Sequence, residues 1–216
     1  MKPIAVNNLH SQPMRRMAHL FSGLFHPLLM TIYASVIYLL LPFYSFTLLP
    51  PQVFWYVLIC NALFTVLLPV LMILLMQRYD MITSVQLNRR EERAYPIIFT
   101  ILFHGANYYF LGRAQLPGPY MFFLLAGIFS LLIVLIVTYY WKISLHTTGI
   151  GGVCGAFLSL AVIWPVDLRF LIAALFLAAG LTASSRLLLH AHTNSQTTAG
   201  FLVGFFPQLA VIWLAS

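Results

Sequence analysis

From Val53 to Met76 the chain runs for 24 residues without one charged side chain. As a helix that segment rises about 36 Å, enough to cross the hydrocarbon core of a bilayer. In water it would need a core able to surround it, and the rest of the chain has too little polar surface to build the outside of one. Of the 216 residues, 62% are apolar and 7% charged, where a soluble domain is about a quarter charged. The sequence therefore predicts an all-α, polytopic transmembrane helical bundle forming a single membrane-embedded domain over residues 1–216. Soluble repeat proteins, nucleic-acid-binding modules and secreted disulfide scaffolds are excluded by the same composition.

Apolar runs bounded by Pro, Gly or charge predict about seven spans, near residues 24–46, 52–76, 96–112, 119–141, 148–164, 168–185 and 197–214. The last three are short and glycine-rich, a composition suited to close helix packing. The first twenty residues are polar for too long to resemble a signal peptide, so the first span is expected to be retained. Cys60 and Cys154 lie inside apolar runs and lack the paired spacing of a zinc or redox site. With seven spans, nine of the eleven Lys and Arg residues share one side and only Arg113 and Arg169 lie on the other. The positive-inside rule then puts the N-terminus in the cytoplasm.

The chain has four acidic residues, Asp80, Glu91, Glu92 and Asp167, and no predicted span contains one. Magnesium-dependent transfer of lipid phosphates needs several carboxylates in one site, and proton-coupled carriers hold an acid within the bilayer. Neither pattern is present. What gathers on the predicted cytoplasmic side is Arg, Lys and His, in QLNRREERAYP (86–96), WKISLHTTGIGG (141–152) and SSRLLLHAHTNSQTTAG (184–200). Cations with imidazoles suit a phosphate ester, whose oxygens need a clamp while a nucleophile attacks phosphorus in line.

The third segment has Ser185 and Arg186, five residues, His192, three residues, then Gln196. That spacing resembles the third motif of the type 2 phosphatidic acid phosphatase superfamily, where Asp stands at the last position. The family's second motif, Pro-Ser-Gly-His, is echoed by Ser144, Leu145 and His146, with Ile143 in place of Pro and Leu145 in place of Gly. Its first motif is suggested by the basic cluster Arg89, Arg90 and Arg93 before Pro96, without the family's Lys to Arg-Pro spacing. The resemblance covers residues 86–204 and implies a six-helix phosphatase-like core. It also implies a histidine mechanism without metal or cofactor, a lipid substrate bearing phosphate, and a bacterial inner membrane location. In those terms His192 is the expected nucleophile, His146 the acid for the leaving oxygen, and Arg186 the phosphate clamp. Arg89, Arg90, Arg93, Lys142, Ser144 and Ser185 are further expected phosphate contacts. Gln196 is the main departure, since its carbonyl can orient an imidazole but cannot supply the charge of an Asp. Glu91 or Glu92 is an alternative source of that charge.

Each residue also has a plainer reading. Arg89 to Arg93 suit a positive-inside cluster, Lys142 a snorkelling interfacial cation, and the Gly149 to Gly152 run close helix packing. His19, His26 and His104 lack partners at motif spacing and read as interfacial or core residues. A three-histidine metal site from His146, His190 and His192 is weakened by the absence of acidic partners nearby. Two functional alternatives stand beside the phosphatase: a pseudophosphatase that binds lipid headgroups, and a small transporter of anionic lipid.

Overall fold

The computed structural model describes residues 8–41, 49–85, 89, 91–164 and 167–214. Among them the chain is all helical, with no strand. In chain order the helices are α1 (Asn8–Leu24), α2 (Pro27–Leu40), α3 (Pro51–Arg78), α4 (Ala94–Gly112), α5 (Gly118–Tyr140), α6 (Leu145–Ile163), α7 (Arg169–Leu188) and α8 (Asn194–Leu214). A short 3-10 turn, Glu91–Arg93, leads into α4. Proline stands in the first turn of α2, α3 and α5, where its missing N–H has no helical partner to lose. Inside α3 the ladder widens to a π-turn over Ala62–Leu67. Thr65 bonds back to the Asn61 carbonyl there, at 2.8 Å, and Pro69 just beyond cannot donate to residue 65.

Four helices, α3, α5, α6 and α7, are long and apolar enough to cross a membrane. The pair α1 and α2, bent by 60° at residues 25 and 26, makes a fifth if counted as one broken span. The expected count of about seven is therefore not reached by length and hydropathy, because α4 and α8 fall outside that group. The predicted first span, 24–46, is corrected as well. Its described part is α2 alone, entered through a sharp turn at His26, and a helix that was not anticipated, α1, precedes it. Residues 42–48 lie outside the described residues. α1 is amphipathic, with Met14, Met17, Leu20 and Leu24 forming an exposed apolar stripe, and it lies against α7.

The main core joins α2, α3, α5 and α6 around Tyr38, Val57, Tyr120 and Phe157. A buried polar cluster ties the same region to α4. Asn61 Nδ2 donates to Ser35 Oγ at 2.9 Å and Tyr120 OH at 3.0 Å, and Asn107 Nδ2 donates to Asn61 Oδ1 at 2.8 Å. Such bonds hold helices together where lipid supplies no hydrophobic drive.

α6 is the most enclosed of the membrane-length helices and packs most extensively on α8. The contact is made by glycines on both helices. A Cβ on Gly151 would strike the Phe201 carbonyl, one on Gly155 the Phe205 carbonyl, and one on Gly204 the Thr148 carbonyl. Backbone atoms cannot yield as a side chain can, so Gly204→Ala is expected to destabilise the protein by at least about 1–3 kcal/mol. Gly180→Ala, on an open face of α7, is expected to be neutral or slightly stabilising. Thermal unfolding of the two variants in the same detergent checks both.

A cationic histidine cavity as the candidate functional site

At one end of the bundle α2, α4, α6 and α8 begin and α5 and α7 finish, and from there a cavity of about 810 Å³ runs into the bundle as far as Phe123 and Gln208. Its lining includes Arg93, Lys142, His146, Arg186 and His192, so all three basic segments meet in one space. Gly149 and Gly152 also line it, as do Ser22 and His26 from the α1–α2 turn.

His192 is placed by two adjoining helix ends. α7 closes with His190 in the left-handed region at φ 51°, the His190 N–H bonding the Leu187 carbonyl at 2.9 Å and the Ala191 N–H bonding that of Arg186 at 3.1 Å. This Schellman closure satisfies the last carbonyls and turns the chain back immediately after Arg186. α8 then opens with a capping box built from Thr193 and Gln196. The Gln196 N–H donates to Thr193 Oγ1 at 3.4 Å, and the Thr193 N–H donates to Gln196 Oε1 at 3.2 Å. The second bond fixes the amide orientation, since a backbone N–H can only donate. His192 Nδ1 lies 3.1 Å from that same Oε1. Facing an acceptor, Nδ1 must carry the proton, which leaves Nε2 with a free lone pair. Gln196 is thus structural and tautomer-setting together.

His146 occupies the first turn of α6, behind Ser144 as N-cap. Its Nε2 lies 3.3 Å from Ser22 Oγ, which also accepts from Arg186 Nη1 at 2.7 Å. The His26 ring packs edge-on against His146, with centroids 5.3 Å apart. Arg186 Nε is buried without a hydrogen-bond partner among the described residues. Arg93 is buried and donates from Nη1 to the Ile143 carbonyl at 3.1 Å, which ties the start of α4 to the α5–α6 connection.

Among the lining residues there is no carboxylate. Glu92 accepts from the N–H and hydroxyl of Thr83, at 3.1 Å each, Glu91 and Asp80 are exposed, and Asp167 pairs with Arg169 at 2.7 Å. The expected alternative of Glu92 at His192 is thereby replaced by its attachment to Thr83. The electrostatic consequence is uniform. Burial lowers the affinity of Arg93 and Lys142 for their protons, with nearby cations adding to the effect. Burial holds the His192 pKa down at about 4, against the Gln196 hydrogen bond and with further depression from Arg186, Arg93 and Lys142.

Other expected contacts are placed elsewhere. The Ser144 hydroxyl caps α6 by accepting from the Thr147 N–H at 3.5 Å, and the Ser185 hydroxyl donates to the Leu181 carbonyl at 2.7 Å. Neither lines the cavity. Arg89 is exposed, and Arg90 lies outside the described residues. His190 is exposed, and no group of three His, Cys, Asp or Glu side chains able to hold a metal occurs among the described residues. His104 bonds the Thr100 carbonyl one turn back at 2.9 Å while lining the cavity. Sequence reasoning missed Ser22 and His26, for which no motif spacing exists, and the Thr-x-x-Gln capping box, for which it does.

No family model, curated protein or solved structure matches this chain.

An ordinary histidine is about 90% protonated at about pH 5.5, whereas one titrating near 4 stays almost wholly neutral. Carbethoxylation by diethylpyrocarbonate, which needs the neutral ring, is therefore expected to proceed at His192 nearly as fast at about pH 5.5 as at neutral pH. Peptide mass spectrometry measures it, and a tenfold fall would show an unperturbed imidazole.

Proposed function

We propose that this chain is an integral membrane phosphatase acting on a lipid phosphate or pyrophosphate through a histidine nucleophile, without metal. The observation that carries the reading is the cavity itself: five imidazoles, those of His146 and His192 among them, and three cationic side chains line it with no carboxylate among the described lining residues. Such a site favours a dianion, and a phosphate ester is a dianion that an imidazole can attack.

In this mechanism Arg93, Lys142, Arg186 and the first turn of α6 hold the phosphoryl oxygens. His192 Nε2 attacks phosphorus as the bond to the leaving oxygen breaks, and that oxygen takes a proton from His146. Water, deprotonated by His146, then attacks the phosphohistidine. The N–P bond breaks, inorganic phosphate leaves and both imidazoles return to their starting states. The net change is ester plus water to alcohol plus phosphate. The substrate headgroup lies at the bilayer surface with its chains in the bundle or lipid. On the charge asymmetry of the connections the N-terminus is cytoplasmic, and the resemblance to type 2 phosphatidic acid phosphatases points to a bacterial inner membrane.

Phosphate release by detergent-purified protein from a panel of lipid phosphates and pyrophosphates, in chelator, tests the proposal. The expected result is chelator-resistant turnover that His192→Ala abolishes. Turnover by neither protein on any lipid overturns it.

Gln196 favours a second reading, a pocket that binds anionic headgroups with little turnover, because a neutral amide supplies no charge to balance the cation formed at His192. The capping box accepts Glu as readily as Gln at this position, whereas Asp is one methylene shorter. Gln196→Glu is therefore expected to keep α8 intact and to raise the His192 pKa by about one to three units, as an adjacent carboxylate does. Faster phosphate release in this variant supports an impaired phosphatase. A shifted pKa with no release by wild type or variant supports the binding protein.

A further inference from the structure

We infer that Ser22, on the last turn of α1, is a positioning residue that holds His146 in register with Arg186. The inference rests on the phosphatase reading and names a member of the site outside the segment that carries the family resemblance.

Ser22 is 8% exposed and its hydroxyl is in hydrogen-bond contact with both groups, Arg186 Nη1 at 2.7 Å and His146 Nε2 at 3.3 Å. A hydroxyl has one proton and two lone pairs. Arginine can only donate, so it takes one lone pair. The second lone pair accepts from His146 Nε2–H, a proton that the ring keeps in both charge states when Nδ1 is the atom that gives and recovers one. The same contact therefore serves both charge states of a ring that gives and recovers a proton. It also occupies Nε2, which leaves Nδ1 as the ring atom that exchanges a proton with a ligand. The sharp turn at residues 25 and 26 brings His26 edge-on to the same ring, so α1 and α2 hold His146 from two sides. Ser22 itself touches no reacting atom in this arrangement.

A residue that acts through the leaving-group acid has a distinctive kinetic signature. Its loss slows esters whose alcohol must be protonated to depart, and hardly affects esters with a stable leaving anion. The comparison uses Ser22→Thr and Ser22→Val, two side chains of the same shape of which only the first keeps the hydroxyl, so effects on folding are shared. Phosphatidic acid in mixed micelles and p-nitrophenyl phosphate are the two substrates.

Ser22→Val is expected to lower kcat on phosphatidic acid about tenfold or more relative to Ser22→Thr with KM little changed, and to lower it less than about threefold on p-nitrophenyl phosphate. Equal kcat for the two variants on phosphatidic acid, with wild type active, overturns the inference alone. An equal loss on both substrates, or a loss confined to KM, also overturns it, since either assigns the hydroxyl to the Arg186 clamp. No turnover by wild type on either substrate overturns the phosphatase reading and the inference with it.

Discussion

The close approach of α6 and α8 is the contact on which the rest of the site depends. Helices in a bilayer gain little from excluding lipid from one another, so they associate where small residues let backbones touch and polar groups bond across. Gly151 and Gly155 meet the backbone of α8, and Gly200 and Gly204 meet the backbone at the start of α6. At the cavity end this contact becomes a hydrogen bond, the Ser144 N–H donating to the Gln196 carbonyl at 3.3 Å. The N-cap of α6 is thereby locked to the first turn of α8. His146 lies just inside one of them and His192 just before the other, so the two imidazoles inherit their register from a backbone contact rather than from any attraction between themselves.

Legibility in the sequence followed the range of the interaction. Short-range patterns were readable: the charge-free run 53–76 falls within α3, and the predicted spans at 119–141, 148–164 and 168–185 lie close to α5, α6 and α7. The orientation of His192 by the Gln196 carbonyl was readable from their spacing, whereas the cap that α8 builds between them, starting at Asn194, was not. Ser22 was not readable, because its partners lie 124 and 164 residues away and nothing local marks it. The expected count of about seven spans is not reached by length and hydropathy because those measures weigh each helix alone. A hydropathy sum charges α4 the full cost of burying Asn107, while in the fold that amide donates to Asn61, so the cost it registers is largely offset.

The cavity gathers like charge without its complement. The buried Ser35, Asn61, Asn107 and Tyr120 cluster joins donors to acceptors across helices, whereas the described residues lining the cavity include Arg93, Lys142 and Arg186 and no carboxylate. Like charges gathered in a partly desolvated site raise the free energy of the empty protein. That arrangement persists when the surrounding structure over-determines it, and here the glycine contact, the Arg93 bond to Ile143 and the two helix caps do so. Local conflicts of this kind are expected at functional sites. A dianionic ligand removes the conflict, since its charge supplies what the acid-poor sequence withholds.

Gln196 sets how far that logic extends. An Asp in its place would cancel one positive charge before any ligand arrived, weakening the pull on an anion while preparing His192 to become a cation. A neutral Gln does the reverse. It leaves the pocket one unit more positive and adds no negative charge to oppose the burial that holds the His192 pKa near 4. Anion capture and the supply of a free lone pair are favoured, while in the proposed mechanism a positively charged phosphohistidine would gain no counter-ion from the protein. Its stabilisation falls instead to the negative oxygens of the phosphoryl group, held by Arg93, Lys142 and Arg186. On the proposed function, Gln196 thus tips the site from stabilising an intermediate toward holding an anion, and the same capping-box geometry that holds Gln would accept a charge there as Glu.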